Sequence, residues 1–213
     1  MFNYNHALGY GLLSYLCGYY RHYYPVEYCT AYLSCAKNDD DLFNGQQLVR
    51  DLNIRFENVK FRHADWDYSC DSSKRVIYKG LREVPRMSLS ACNSLRSLYN
   101  TQYDSFNDLL KDMVEVKLNV ALLENLIKLD YFEEFGDINY LLRYLKAYKK
   151  YQHRKKRYEL IAEDMKDVPK GLTSVYDMIQ YSYDVCGMVT VVYSSIADNY
   201  YFVTEIKGTK YIA

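Results

Sequence analysis

The first 36 residues carry only two charged side chains, Arg21 and Glu27. Apolar and tyrosine side chains recur there at the three- and four-residue spacing of a helix, and Pro25 stands where a second helix can begin. We therefore expect a helix, a turn and a second helix over residues 7–36. A helical pair with so little charge must be covered by the rest of the chain or by another protein.

The composition excludes some classes of protein but does not identify a binding partner. The 27 basic residues balance the 27 acidic ones among 213 residues, so net charge does not point to a polyanion. The six cysteines form no CxxC pair, and no signal peptide or membrane-spanning segment is evident, which predicts reduced thiols in a cytoplasmic protein with no membrane partner. The 26 tyrosines suit half-buried surfaces and interfaces.

The rest of the pattern predicts a mainly α protein, α+β overall. A loop with Asp39 or Asp40 as its cap leads into a helix from Asp41 to Leu52, and short extended segments follow. From about residue 183 the composition turns β-rich, with a turn at 197–199 that predicts a hairpin. Four further helices are expected over residues 88–99, 105–113, 119–129 and after the break at Gly136, where Asp137 is the predicted cap.

Four quoted stretches, in order, resemble one family. The opening "FNYNHALGYGLLSYLCGYYRHYYPVEY" is similar to the signature FNKSHAxxYAxxSYxxAxLKxHYPxEF. It is followed by "VIYKGLREVPRMS", "NVALLENLIKLDYFEEFG" and a final "YSYDVCGMVTVVYSSIADNYYFVTEIKGTKY". Together, over essentially the whole chain, these stretches resemble the bacterial DNA polymerase III alpha subunit, the C-family replicative polymerase.

The resemblance implies a fragment that runs from the end of the fingers, through a degenerate helix-hairpin-helix domain, to the start of an OB-fold. The catalytic palm would lie outside it, so the isolated chain is expected to be inactive and to hold no cofactor, with magnesium implied only for the intact polymerase. The implied divisions are residues 1–55 for a fingers-end helical bundle, 56–142 for the helix-hairpin-helix-like domain, 143–175 for a basic linker helix and 176–213 for the start of an OB-like β module.

His6 and Tyr10 match a histidine and a tyrosine of the family signature. By resemblance they would contact the incoming nucleotide, the histidine through a phosphate and the tyrosine by stacking. The alternative is structural, with His6 and Asn3 forming a turn and a cap for the helix that follows. Tyr4 stands where the family has a lysine, which removes a phosphate contact.

The helix-hairpin-helix is the second candidate site, because such a hairpin binds backbone phosphate through exposed N–H groups. The family's Gly-Val-Gly is replaced here by Pro85, Arg86 and Met87. Pro85 lacks an N–H, and Met87 is expected to resist the positive φ that glycine supplies. Basic side chains around the hairpin would compensate for the lost backbone contacts to phosphate. The predicted duplex contacts are Lys79, Arg82, Arg86 and Ser88.

The segment 143–158 is the third candidate, with eight basic residues, no acidic ones and interleaved tyrosines that could stack on bases. The alternative is a solvated linker helix. The predicted DNA contacts in this segment are Lys149, Lys150, Arg154, Lys155 and Lys156.

Two functions remain open at this stage. One is a non-catalytic part of a replicative polymerase that contacts duplex or primer–template DNA weakly and independently of sequence, alongside the remainder of the polymerase or other replisome subunits. The other is a protein-interaction or docking module, derived from a decayed polymerase gene, that does not bind DNA.

Overall fold

A computed structural model describes residues 4–168, 171, 173–187, 202–206 and 209–212, the last two ranges for their backbone alone. Helices make up most of the described chain, and the mainly α prediction is confirmed. A three-stranded sheet packs against the second and third helices.

The two N-terminal helices follow the predicted order. Helix α1 spans Tyr4–Tyr23 and helix α2 spans Pro25–Cys35, so Pro25 does begin the second helix. Helix α2 buries one face in the smaller of two apolar cores, whereas α1 buries no residue. The predicted cover for α1 is therefore not supplied by the described part of this chain.

Helix α3 spans Asp39–Asp51, and its cap differs from the prediction. The backbone at Asn38 is extended, and its side-chain oxygen accepts a hydrogen bond from the Asp41 N–H at 2.7 Å. Asp39 and Asp40 instead stand in the first turn, where their negative charges face the positive end of the helix. Asparagine and aspartate are about equally favourable as N-cap residues, so residue type alone could not show whether Asn38 or one of the following aspartates caps the helix.

The sheet has three short strands, β1 at Arg55–Glu57, β2 at Ser69–Asp71 and β3 at Val76–Tyr78. Strand β3 is central, parallel to β1 and antiparallel to β2, and all three of its residues are buried. Strand β3 falls within a segment that was predicted to be extended and β2 overlaps the end of another, whereas β1 begins before the predicted start at Glu57.

Five helices build the larger core. Four of them begin at predicted caps, where a Ser, Asn or Asp side chain accepts from an N–H of the first turn. Each is short, so packing of its apolar face stabilises it more than its own propensity does. They are α4 at Leu89–Ser97, α5 at Phe106–Glu115, α6 at Val120–Lys128, α7 at Ile138–Tyr151 and α8 at Arg157–Asp164.

The basic segment 143–158 is not one helix. Helix α7 ends at Tyr151, the chain turns, and α8 begins at Arg157. One face of α7 is buried in the larger core, so the alternative of a solvated linker helix is wrong for this part of the chain. The division between residues 142 and 143 falls inside α7, and the domain boundaries stay predictions.

The predicted β module begins with a helix. Helix α9 spans Val175–Cys186 and ends at Gly187, which takes the left-handed conformation with φ of 73°. The switch to strand at about residue 183 was therefore placed too early, because an N-cap at Ser174 and an apolar helical stripe extend the helix through that point. Strands β4 at Phe202–Ile206 and β5 at Thr209–Ile212 pair antiparallel, and the predicted turn at 197–199 lies outside the described residues.

Candidate nucleic-acid interface

The first hairpin, residues 84–87, joins a short 3-10 helix at Leu81–Glu83 to helix α4. Leu81 and Val84 are buried and anchor it, while Pro85 and Arg86 are exposed. The Met87 N–H donates to the Val84 carbonyl at 3.1 Å, and Arg86 has a φ of +69°. Proline in the second place and a positive φ in the third are typical of a type II turn. The hairpin is therefore a closed, exposed turn.

The positive φ falls on Arg86 rather than on Met87. A type II turn closed between Val84 and Met87 needs that conformation at its third residue, which is the arginine. Arginine has no glycine-like freedom at positive φ, so this conformation stores strain of about 1 kcal/mol. The turn thus keeps its shape without either glycine of the family pattern and presents a cation at its tip.

Four backbone N–H groups at this hairpin have no acceptor among the described residues. They belong to Arg86, Ser88, Leu89 and Ser90, all of which are exposed. The Ser88 hydroxyl accepts from the Ala91 N–H at 3.1 Å, so Ser88 acts as the N-cap of α4. Free amides at a helix N-terminus together with an exposed arginine form a surface of hydrogen-bond donors that suits an anion.

Two of the predicted contacts on this side are already occupied. Lys79 is only 5% exposed, and its ammonium lies 3.7 Å from the Cys186 sulfur. Arg82 pairs with Asp67 and Glu83, and it donates to the Ser34 carbonyl at 2.9 Å. Arg82 therefore ties the end of α2 to the hairpin region, and Arg86 is the predicted cation that stands free on the surface.

A second hairpin, residues 129–136, connects α6 to α7 and escaped the sequence analysis as a site. Tyr131 and Phe132 are fully buried within it, and Gly136 closes it with φ of 146°. A Cβ on Gly136 would lie 2.7 Å from the Tyr140 ring, so glycine is required there for both reasons. The acidic residues around Gly136 were the sequence signal that this hairpin differs from the first.

Acidic side chains cover the second hairpin, and two basic residues hold them. The Lys60 ammonium lies 2.9 Å from an Asp130 carboxylate oxygen and also contacts Glu133. Arg62 pairs with Glu134 at 3.2 Å and donates to the backbone at Tyr99 and Thr101. Burial alone lowers the pKa of Lys60, but the carboxylates outweigh it and leave that pKa raised. Asp130, Glu133 and Glu134 are thus each paired with a cation from an earlier part of the chain.

Amides at the start of α7 are occupied as well. The Tyr140 N–H donates to the Asp137 carboxylate at 2.7 Å, and the Asn139 N–H donates to the Thr173 hydroxyl at 3.1 Å. Asp137 also accepts from the Leu141 N–H through its backbone carbonyl. A helix N-terminus that already carries a carboxylate repels a phosphate rather than attracting it. The second hairpin therefore leaves fewer amides open at the start of its helix than the first does, and it places a carboxylate beside them.

Most of the predicted cations in the basic segment have partners. Lys149 pairs with Glu124 at 2.9 Å, Lys150 with Asp164 at 3.0 Å and Lys156 with Glu159 at 3.4 Å. Arg154 and Lys155 are exposed and form no ion pair within the described part of the chain. All three pairs are exposed and individually weak, so a polyanion could displace these acids.

The tyrosines of this segment do not form a stacking surface. Tyr144 and Tyr148 are buried in the larger core, and the Tyr151 hydroxyl donates to Asp164 at 2.8 Å. The ring of Tyr158 packs under the Arg157 guanidinium, 4.8 Å from its centroid. The predicted stacking is wrong for Tyr144 and Tyr148, because the apolar stripe of α7 places both rings inside.

His6 and Tyr10 both lie in exposed α1, far along the chain from the hairpins. Their rings meet edge to face with centroids 4.6 Å apart, as residues four positions apart on a helix can. Helix α1 already begins at Tyr4, so His6 belongs to the first turn of the helix and is not its cap. Asn3 lies outside the described residues, and the nucleotide contact stays a prediction.

The acidic residues do not fit a magnesium site. No group of three or more His, Cys, Asp or Glu side chains within the described ranges is placed to hold a metal ion. Asp39, Asp40 and Asp41 follow one another around the first turn of α3, and the acids of the second hairpin are bound to Lys60 and Arg62. Across the same ranges, no helix has the length and apolarity needed to cross a membrane.

The two hairpins fall inside one recognised motif. Residues 53–139 match the model of the helix-hairpin-helix motif, which includes the sheet, both hairpins and the start of α7. The match covers less than half of the chain and shows that this part is similar to a helix-hairpin-helix motif.

Segments of the alpha subunit of DNA polymerase III from several bacteria are similar in sequence to this chain. It is 28% identical over 142 residues to that subunit from Ureaplasma parvum serovar 3, 29% over 140 to that from Campylobacter jejuni, and 30% over 141 to that from Thermus aquaticus. The aligned parts are 63%, 63% and 64% of this chain, less than the whole-chain resemblance predicted, and 14%, 12% and 11% of the relatives. The chain thus spans little more than a tenth of these relatives.

Proposed function

We propose that this chain is a non-catalytic, nucleic-acid-contacting part of a DNA polymerase III alpha subunit. It binds the phosphates of duplex or primer–template DNA through the first hairpin, independently of sequence. The observation that carries this proposal is the surface formed by Arg86 and the free amides of Ser88, Leu89 and Ser90. Amides and a guanidinium bind phosphate oxygens, which carry no base information, and a few contacts give modest affinity.

The exposed cations of the α7–α8 turn extend this surface in the proposal. Arg154 and Lys155 need no rearrangement to contact a phosphate, whereas Lys149, Lys150 and Lys156 must first leave their carboxylate partners. Replacement of an exposed carboxylate by a phosphate costs little, because such pairs contribute about 0.5 kcal/mol. The first hairpin positions the duplex, and this turn adds long-range attraction.

The test compares two exposed arginines in fluorescence anisotropy with labelled primer–template and single-stranded DNA over a range of salt concentrations. Arg86→Glu should weaken duplex binding about tenfold, equal to about 1.4 kcal/mol, and lower the salt slope by about one. Arg50→Glu is the control, since Arg50 is exposed on α3 outside the motif. Equal losses for the two variants, or a sequence-dependent affinity, would contradict the proposal.

A second function rests on the exposure of α1. Eleven large apolar or tyrosine side chains between Tyr4 and Tyr24 are 38–77% exposed, and they lie all around the helix rather than on one face. A helix that is apolar on every side is normally buried within a larger domain. We infer that the remainder of a polymerase covers α1.

Whether the chain acts in the cytoplasm stays a prediction.

Sedimentation velocity at several protein concentrations tests this second role. The triple variant Leu8→Gln, Leu12→Gln and Leu13→Gln should remain monomeric where the original chain self-associates, because it removes three exposed leucines. Its affinity for duplex DNA should stay unchanged, since α1 contains no part of the first hairpin. A loss of DNA binding in this variant would show that docking and DNA contact are one function.

A further inference from the structure

The helices beside the first hairpin carry one acidic side chain among several basic ones. The Asn125 side chain donates to the Pro85 carbonyl at 3.3 Å, which places the middle of α6 against the hairpin, and α7 packs against α6. Within α4, α6 and α7, which the structure describes in full, Glu124 is the single acidic residue. One basic residue lies in α4, one in α6 and four in α7. Glu124 directly precedes Asn125, so this carboxylate lies close to the proposed phosphate site.

Glu124 holds two lysines with its two carboxylate oxygens. Its Oε1 lies 3.3 Å from the Nζ of Lys128, one turn further along α6, and its Oε2 lies 2.9 Å from the Nζ of Lys149 on α7. The hydrogen bond from Lys149 lowers the pKa of Glu124 most, burial opposes it, and Lys128 lowers it further, so the carboxylate is ionised at neutral pH. The three side chains are between 24% and 49% exposed, so a ligand can reach all of them from solvent.

We propose that Lys128 and Lys149 form a second phosphate subsite beside the first hairpin, and that Glu124 occupies this subsite when DNA is absent. This inference rests on the proposed function, because the first hairpin brings the duplex to α6. A phosphate oxygen replaces the carboxylate between the two ammonium groups, and Glu124 turns toward solvent. The exchange trades exposed ion pairs of similar strength, so repulsion between the carboxylate and the phosphate sets its cost. Glu124 thereby lowers the affinity for DNA.

The alternative is that Glu124 serves only to join α6 to α7. Both helices already bury apolar side chains in the larger core, among them Leu126, Ile127, Leu141 and Leu145. Exposed ion pairs add little to such packing, so the structure has small need of this carboxylate for stability. The two explanations predict different results when Glu124 loses its charge. A structural bridge predicts lower stability with no gain in DNA affinity, whereas a competitor of phosphate predicts tighter binding.

The first experiment measures fluorescence anisotropy of labelled duplex DNA with the whole chain. Glu124→Gln should raise the affinity about fivefold and steepen the salt slope by about one, because it frees the subsite for a phosphate. Glu115→Gln is the control, since it makes the same change in net charge at an exposed position on α5. If Arg86→Glu weakens binding but Glu124→Gln does not strengthen it, this inference is overturned and the proposed function stands. If the original chain does not bind duplex DNA, both are overturned.

A second set of variants shows whether Glu124 acts through the two lysines. The double variant Lys128→Gln and Lys149→Gln should bind duplex DNA about tenfold more weakly, because it removes both cations of the subsite. Lys74→Gln is the control, since Lys74 makes an exposed pair with Asp71 on the sheet and should keep the original affinity. Addition of Glu124→Gln to the double variant should raise the affinity less than about twofold, because no ammonium remains for the carboxylate to occupy. A full fivefold gain there would show repulsion alone and overturn the subsite. Urea denaturation confirms folding of every variant.

Discussion

The two hairpins of this motif have similar places in the fold and opposite surfaces. The first leaves backbone amides open around Arg86, with no acidic residue in the first turn of the helix that follows it. In the second, Asp137 and Thr173 occupy the amides of α7, and Lys60 and Arg62 bind its acidic side chains. The first hairpin is proposed as the phosphate site because of the groups that it leaves unpaired among the described residues.

The two hairpins are also expected to differ in their main contribution, which is stability for the second hairpin and binding for the first. The second hairpin carries two aromatic rings into the larger core and makes ion pairs to residues about 70 positions earlier in the chain. The first hairpin is anchored by two apolar side chains and keeps a strained arginine at its tip. We expect changes in the second hairpin to alter mainly the free energy of unfolding, and changes in the first to alter mainly DNA affinity.

The largest expected effect is on the buried charges of the second hairpin. Lys60→Met should lower the free energy of unfolding by about 3 kcal/mol, because it leaves Asp130 and Glu133 without their cation in a partly buried place. Urea denaturation measures this loss. Lys74→Met is the control, since Lys74 makes an exposed pair with Asp71 that contributes about 0.5 kcal/mol. Equal losses in the free energy of unfolding for both variants would contradict the proposal that the second hairpin contributes mainly to stability.

A slightly smaller loss is expected at the glycine that closes the second hairpin. Gly136→Ala should cost about 2 kcal/mol, since it combines a positive φ with a Cβ too close to Tyr140. Gly187→Ala isolates the first of these causes, because its φ is positive but no atom lies within 4 Å of the added Cβ. That control should lose about 1 kcal/mol in the same denaturation experiment. If the control lost more, the clash with Tyr140 would not be the reason.

As pH rises, the packing beneath the second hairpin should be destabilised at a lower pH than the first hairpin is affected. The hydroxyls of Tyr99 and Tyr131 lie 2.7 Å apart, burial raises the pKa of Tyr99 to about 12, and burial raises that of Tyr131 well above its usual range. The unfolded chain releases these protons near pH 10 and the folded chain releases them later, so the free energy of unfolding falls as pH rises from about 10 toward 12.

The variant Tyr131→Phe should flatten this alkaline decline, because it removes one of the two ionisable phenols. Denaturation midpoints measured between pH 8 and pH 12 test the slope for both proteins. Tyr4→Phe is the control, since Tyr4 is 77% exposed and should leave the slope unchanged. A parallel decline in all three proteins would place the pH dependence elsewhere in the chain.

The smallest effect on stability is expected at the first hairpin, where the substitution should stabilise the protein rather than destabilise it. Arg86→Gly should raise the free energy of unfolding by about 0.5 kcal/mol, because glycine adopts the positive φ without strain but is more flexible when unfolded. The same change should weaken duplex binding several-fold, since the cation is lost. Arg50→Gly, inside α3, should instead lose about 1 kcal/mol and keep the DNA affinity.

Local rules predicted much of the helical body and of its caps. Ser88, Ser105, Asn119 and Asp137 were predicted starting points, and each caps a helix through its own side chain. Such caps depend on a few consecutive residues, so a single chain segment carries the required information. The helical extension to Cys186 was missed, because β-rich residues beyond it masked an apolar stripe that the cap at Ser174 begins.

The candidate site could be predicted as a set of residue types but not as a set of free groups. Lys79, Arg82 and Arg86 are close in sequence, yet only Arg86 is left without a partner among the described residues. Lys79 is covered by α9, which arrives more than 100 residues later, and Arg82 is held by α2 and by a residue 15 positions earlier. No local pattern contains those partners.

The sequence by itself determined where four of the helices begin, that the protein is mainly α, and that its opening helix is too apolar to stand alone, because propensity, caps and periodicity act over a few neighbouring residues. Tertiary structure decided which charges remain available. Lys60 meets Asp130 across 70 residues of chain, and Lys79 meets Cys186 across 107. Pairing between distant residues follows from packing of the core, and that pairing occupies the acidic side chains of the second hairpin while Arg86 in the first stays exposed.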